Sequence, residues 1–454
     1  MRSLTFFLFA VAGWAQIYQP PEPRSMWDTW VFAKGDQYHL FFLQSDPGQT
    51  WNTIGRAVSK DLLHWQTLPA IETKGPAGAW DAGPTLTGIT VESGGRYLMF
   101  YAAQPKAGQS IGVMESTDLV NWRKSERNPL LVPRPPHYGG ADWRDLSVVR
   151  DANSGVWHGY VCARTVGGSS AIAHLTSTNL FDWTYLPPVF ASADFSDMEV
   201  PEHFELGGRH YLLFSSIRSR KAETSGRRNA AGTFYLMGDG ADGPYHVPAE
   251  PLLLGSGNGR FDVYVGRTMR FGGQTLLYSQ TVGGPVTWAT PKVIRQNQDG
   301  SLWLGYWTGL DKLVARSLVQ TSGVRVRDGS AAFYQDAGDF MLECELRPGG
   351  APKAGFSWRE ANGKSSGVVL DRASGVIAVM ENGVVIDDIR VAGFGKRAQR
   401  IRALVRGHRA EVYLNDRWLF NWRLKSMPRS GAVSLNATGG EARFTRLRLS
   451  EMAQ

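Results

Sequence analysis

The chain has 454 residues, 43% of them hydrophobic and 20% charged, enough apolar content for a full core and too much for intrinsic disorder. Its 2 cysteines exclude a disulfide framework or a cysteine-based zinc site. The formal charge of +8 is no nucleic-acid signature: residues 318–454 hold 21 Lys/Arg against 14 Asp/Glu, dispersed singly along alternating runs, and no nucleic-acid partner is expected.

Arg2, the apolar run Leu4 to Ala12 and the small residues around Trp14 have the layout of a signal peptide cleaved before Gln16. Residues 1–15 are therefore expected to direct the chain to a secreted or periplasmic location. The run is too short to span a bilayer and no later apolar stretch is long enough, so no membrane anchor is expected. Cys162 and Cys344 stand in apolar runs far apart and read as two buried thiols.

Three interleaved repeats follow. Ser59-Lys60-Asp61-Leu62-Leu63-His64-Trp65 recurs at Ser116 to Trp122 and at Ser177 to Trp183, spaced by 57 and 61 residues. Short aromatic strands recur at Tyr38, Tyr97, Trp157, Tyr211 and Leu276. Ahead of each comes an acid: Trp27-Asp28, Trp80-Asp81, Arg144-Asp145, Met198-Glu199 and Phe261-Asp262. Alternating apolar residues between Gly, Pro and Asp turns predict strands, four to a unit. Radial repetition of such units is one way for a sheet protein to protect its edges. The expectation is an all-β chain with a five-bladed propeller over 24–308, its five acids in register at one mouth of a central channel. Acids crowded there shift one another's pKa.

After Pro291 the pattern changes. Leu310 to Leu318 reads as a short helix in a linker over 309–321. From 322 to 454, runs such as Phe340 to Leu346, Val376 to Met380 and Arg409 to Leu414, separated by turns such as Glu381-Asn382-Gly383, predict a β-sandwich.

Two carboxyl groups flanking a bond are the requirement for glycoside hydrolysis, and here the chain resembles glycoside hydrolase family 32. The resemblance rests on Trp27-Asp28-Thr29-Trp30, Gln44-Ser45-Asp46-Pro47, Trp51, Ser59 to Trp65, Trp143-Arg144-Asp145 and Met198-Glu199-Val200-Pro201. The nucleophile segment is nearer the Trp-Asp-Ser-Trp of the related family 68. Leu146 and Val200 stand where family 32 has Pro and Cys. The resemblance implies a propeller and sandwich and a retaining cleavage of β-fructofuranosidic bonds in sucrose or fructans that needs no cofactor; no motif is dedicated to a metal, and a structural cation stays open. It implies Asp28 as nucleophile, Glu199 as acid/base and Asp145 as the residue gripping sugar hydroxyls. Gln44, Trp51, Trp80, Asp81, Arg144, Asp262 and Tyr264 would line the sugar site, with Trp27 and Trp30 as aromatic platforms. Glu202 competes with Glu199, and the resemblance selects Glu199. An inverting arabinanase-like furanosidase and a sugar-binding propeller without turnover are the other readings. An oligo- or polysaccharide partner and a monomer are expected.

Overall fold

The punctuated alternation of the chain becomes antiparallel strands almost throughout this computed structural model, which describes residues 17–106, 108–218, 230–391, 397–425 and 427–453. The expected leader lies outside the described residues, and among those described no helix is long and apolar enough to cross a membrane. Four sheets stand alone, each running outward in chain order. Blade 1 is Ser25–Lys34, Gln37–Ser45, Thr53–Ser59 and Gln66–Glu72. Blade 2 is Thr85–Ser93, Arg96–Ala103, Ser110–Ser116 and Arg123–Lys124, and blade 3 is Tyr138–Arg150, Trp157–Thr165, Ser170–Ser177 and Thr184–Ser192. Blade 4 begins Glu199–Leu206, Arg209–Ser216 and Ala231–Gly238, and two short strands, Tyr245–His246 and Leu252–Ser256, share its outer edge. A fifth sheet begins Val263–Phe271, Gln274–Thr281 and runs on through Lys292–Gln296 and Leu302–Gly305 into the sandwich, by the single pair Gly305 and Arg417.

The Ser-x-Asp-Leu repeat is one turn made three times. Ser59 Oγ accepts the Leu62 N–H at 2.9 Å, Asp61 Oδ1 accepts the N–H groups of Leu63 and His64, and the Trp65 indole donates to the Leu62 carbonyl at 3.2 Å. The sets around Ser116 and Ser177 copy this, with Asn179 replacing the aspartate. Leu62, Leu119 and Leu180 take left-handed φ of 65°, 61° and 69° and bury their side chains. The side chain must pack there, which is why leucine stands where a turn usually takes glycine. Trp65, Trp122 and Trp183 pack on the blade cores.

A second regularity was not visible in the sequence. The first strand of every blade slips register near its start: at Trp27/Thr29, Leu86/Gly88, Arg144/Ser147, Glu199/Glu202 and Tyr264/Arg267. Within these five bulges Asp28, Asp145, Val200 and Val265 have φ of 29°, 61°, 48° and 53°. A β-branched residue held there costs about 1–3 kcal/mol, and such bulges re-aim the side chains beside them.

The ring closes where Trp288 N–H donates to the Tyr18 carbonyl at 2.9 Å, with Trp65 and Phe42 packed on Tyr18 and Trp288. The helix expected over 310–318 is a 3-10 turn, Thr308–Leu313. Val314 already opens a strand of 24 residues, because Val314–Ala337 finds a partner along its length in the last strand, Gly431–Met452. Cross-strand pairing overrides the local helical signal. The remaining strands, from Phe340–Arg347 to Arg417–Arg423, complete the sandwich around its own core, and the Asn382-Gly383 turn has both residues at positive φ as its sequence predicts. Cys162 and Cys344 are free and buried.

Propeller and sandwich share an apolar cluster in which Trp307 and Leu310 join Met341, Leu404 and Trp418. Inside it Lys292 Nζ lies 2.6 Å from Glu411, both buried, and the Tyr413 hydroxyl donates to the same carboxylate at 2.8 Å. Removing one partner of such a pair strands the other charge away from water. Lys292→Met is therefore expected to lower unfolding free energy by about 3–5 kcal/mol in urea titration, and Lys292→Met with Glu411→Leu to recover most of that loss. A single variant as stable as the parent would show that Glu411 reaches solvent.

Candidate active site

The bulges set two adjacent positions on each first strand toward the channel. The bulged position carries Asp28, Thr87, Asp145, Val200 and Val265 in blades 1 to 5, left-handed in all but Thr87, and the residue before it is Trp27, Leu86, Arg144, Glu199 and Tyr264. Three of the five expected acids, Asp28, Asp145 and Glu199, fall on this ring. Asp81 and Asp262 do not, which corrects the expectation of five acids in register.

The ring side chains form two bonded sets, one in blades 1 and 2 and one across blades 3 to 5. Thr87 Oγ1 donates to Asp28 Oδ2. Arg144 spans the others: Nη2 lies 2.7 Å from Glu199 Oε1, Nε 3.5 Å from Asp145 Oδ2 and Nη1 2.7 Å from Asp142. Tyr264 donates its hydroxyl to Glu199 Oε2, and the Val200 N–H donates to Asp145 Oδ2 at 3.1 Å. Asp28 Oδ1 is buried with no hydrogen-bond partner, so one carboxylate lone pair is free for an incoming atom.

Charge crowding shows in the titration of these groups. Burial, then the Asp145 carboxylate, push Asp28 from 3.8 up to about 8. Burial pushes Asp145 up to about 6, with Glu199 adding and Arg144 opposing. Asp197, two residues before Glu199, is raised by burial and by Glu199, and its Oδ1 is also unpartnered. Asp142 runs the other way: burial raises it, and Arg144 and Arg164 more than offset this. The site thus holds more carboxyl groups than it can ionise together.

The other sequence candidates divide. Trp27 lies on the ring, its indole 6.5 Å from the Tyr264 ring. Trp30 is no platform: it is wholly buried, stacked on Phe41 at 5.7 Å, and donates to Thr90. Alternation from the bulge sends it into the core between blades 1 and 2. Gln44 is buried at the end of the second strand, bonded to Thr53 at 3.0 Å. Trp51, at φ 40°, joins blades 1 and 2 by accepting the Thr85 N–H at 2.9 Å. Trp80 is half-buried against Tyr101 and Gly112.

Asp81 precedes the blade 2 strand, beyond Gly83-Pro84, and binds Lys124 at 2.5 Å and the Tyr101 hydroxyl at 3.1 Å. Asp262 accepts from Arg260 at 2.8 Å and from the Arg423 N–H at 3.2 Å, and its carbonyl accepts from Arg409, so it ties propeller to sandwich. Neither joins the acid network, because each is already neutralised by a cation outside it. Glu202 is likewise spent, on Arg267 at 2.7 Å and on Thr268. Arg267 also donates to the Gly88 carbonyl, so this pair braces blades 2, 4 and 5 under the site. Sequence reasoning missed Thr87, Asp142, Asp197 and Gln109, whose Oε1 accepts the Trp143 N–H at 2.8 Å. Asp142 stands two residues before Arg144, on the same strand face, and that spacing was a usable signal.

Comparison with known proteins adds to this geometry. The family profile described as Glycosyl hydrolases family 32 N-terminal domain matches residues 28–269. The chain is 34% identical over 170 residues to a levanase of Bacillus sp. (strain L7), covering 34% of this chain and 17% of that protein. It is 28% identical over 221 residues to a sucrose-6-phosphate hydrolase of Escherichia coli, covering 46% and 43%. The chain thus spans less than half the length of these relatives. Among solved structures, an exo-inulinase from Aspergillus awamori superposes with a TM-score of 0.79 over 98% of this chain and 100% of that one, at 16% identity. Fructan 1-exohydrolase IIa from Cichorium intybus superposes at 0.78 over 97% of each, at 14% identity. At such identity the superpositions speak for the fold, a five-bladed propeller with a β-sandwich.

The raised carboxyls make a stability prediction. A folded-state pKa above the unfolded one means that folding takes up a proton, so the Asp28 contribution to stability falls as pH rises from about 4 to about 8. Asp28→Asn removes the ionisation and keeps the shape. It is expected to raise stability at pH 8 by on the order of 1–3 kcal/mol, with a smaller gain at pH 5, by thermal or urea unfolding at both pH values. An equal gain at both would mean that Asp28 is ionised throughout that range.

Proposed function

The chain belongs to glycosyl hydrolase family 32, and on that premise we propose that it is a retaining glycosidase that cleaves β-fructofuranosidic bonds in sucrose or fructans. The observation that carries the proposal is the convergence of Asp28, Asp145 and Glu199 from three blades, the last two held by Arg144, with Asp28 Oδ1 left without a partner. The levanase and the sucrose-6-phosphate hydrolase among its relatives support a fructosyl substrate.

In this reading Asp28 Oδ1 attacks the anomeric carbon while the bond to the leaving oxygen breaks and that oxygen takes the proton of Glu199. Water then gives a proton to the Glu199 carboxylate and displaces Asp28 from the same carbon. Thr87 holds Asp28 through its other oxygen, so the attacking oxygen is aimed without being occupied. Asp145, fixed by the Val200 N–H and Arg144, is placed to accept sugar hydroxyls, whose donation stabilises the charge the raised pKa disfavours. Tyr264 and Arg144 hold Glu199 from both sides, and sugar binding must exchange one of those bonds for the leaving oxygen. Export of the chain, read from residues 1–15, belongs to the same proposal.

Chromatography of sugars released from sucrose, levan and inulin is the direct test, with fructose expected. Glu199→Ala is expected to lose roughly 10²–10⁴ in kcat on these substrates and to keep most activity on a fructoside whose leaving group needs no proton. Asp28→Ala is expected to lose both. An inverted anomeric product from the parent, or turnover by Asp28→Ala, would overturn the assignment.

A further inference from the structure

At the far end of blades 3 and 4 five rings stack in a row: His158, His174, Tyr160, His203 and His210. Successive centroids lie 5.3, 5.7, 5.7 and 5.3 Å apart, and the planes differ by 34° or less. His158 pairs with Val149, four residues beyond Asp145 along the first strand, so the stack is remote from the carboxylates. Nothing in the proposed reaction uses it.

One end of the stack meets a carboxylate. His158 Nδ1 and His174 Nε2 are 3.0 Å apart, and Asp242 Oδ1 lies 3.3 Å from the first and 3.5 Å from the second. The three atoms form a nearly equilateral triangle whose corners are about 1.9 Å from its centre. An ion just out of that plane would meet all three at about 2.0–2.1 Å, the bond length of Zn²⁺ to imidazole and carboxylate. The imidazoles are buried in blade 3, on Trp157–Thr165 and Ser170–Ser177, while Asp242 belongs to the blade 4 turn after Ala231–Gly238 and is exposed, so a further ligand position faces water.

The arrangement is braced. Tyr160 lies flat on His174, and its hydroxyl donates to the Ala241 carbonyl at 2.9 Å, next to Asp242. Tyr245 donates to the same carbonyl at 3.4 Å.

We propose that His158, His174 and Asp242 form a site for a borderline divalent transition-metal ion, with Zn²⁺ as its representative, that clips blade 3 to blade 4. Two imidazoles and one carboxylate select against Ca²⁺ and Mg²⁺, which prefer all-oxygen sets. The other end of the stack is a looser group. His203 Nε2 and His210 Nδ1 are 3.0 Å apart, but Glu205 Oε1 is 3.8 Å from His210, and all three lie on one hairpin.

The test is calorimetric titration of the metal-stripped full chain with ZnCl₂, paired with thermal unfolding with and without the metal. The parent is expected to bind Zn²⁺ at a tight site and to melt higher with it, with CaCl₂ doing neither. Asp242→Asn, at an exposed position that leaves the core intact, is expected to weaken that site by at least about tenfold and to lose the thermal gain, with sugar-releasing activity unchanged. His158→Gln is expected to do the same. His203→Gln is expected to retain tight binding. No uptake by the parent would mean that the triad is held by hydrogen bonds alone, and undiminished uptake by Asp242→Asn would put the metal elsewhere. Either result overturns the proposal.

Discussion

First strands that radiate around an axis crowd at their starts, and a regular strand there would alternate its side chains between the two neighbouring blades. The extra residue in each first strand breaks that alternation and turns adjacent side chains into the channel. Asp28 and Asp145 use the left-handed position, and Arg144, Glu199 and Tyr264 use the one before it. The strain at Val200 and Val265, where no catalytic side chain results, shows that the backbone step belongs to the architecture and that the chemistry occupies it. The Val200 N–H is nonetheless put to use, because the same step points it at Asp145.

Electrostatics then divides the channel into two layers. In the lower one Glu202 and Arg267 neutralise each other with their hydrogen bonds complete, and the pair behaves as a fastening between blades. In the upper one three carboxyls share a single guanidinium, and one carboxylate oxygen is left over. The surplus of acid over base is unfavourable for the free protein and is what a polyhydroxylated ligand can relieve. Stability and reactivity therefore pull in opposite directions at Asp28.

The blade architecture was legible because it is written three times over, in turns, aromatic strands and acids. The turn was readable as a repeat, and the structure supplies its hydrogen bonds at Ser59, Asp61 and Trp65. Register was not. Trp-Asp looked equivalent at Asp28 and Asp81, yet the second pair sits before Gly83-Pro84, outside the strand, and Thr87 holds the ring position. Nothing local announces a bulge, because it arises from how a strand meets its neighbour. For the same reason Trp30 looked like a sugar platform, being two residues from Asp28, when its side chain turns into the core. The strand at Val314 was hidden similarly: its partner lies at the other end of the sandwich, and no window of sequence includes both.

The bridge between Tyr18 and Trp288 has a consequence for the order of events during synthesis. The segment at Tyr18, ahead of blade 1, is made first but finds its partner last, in Trp288 beside the fifth sheet. Tyr264, which holds Glu199, emerges more than 230 residues after Asp28. While the chain is growing, each finished blade exposes a flank awaiting the next. The displaced pKa of Asp28 is not a property of any one blade, because Thr87, Asp145 and Glu199 reach it from three others. A chain halted before blade 5 would carry every acid of the site but lack the Tyr264 hydroxyl that holds Glu199.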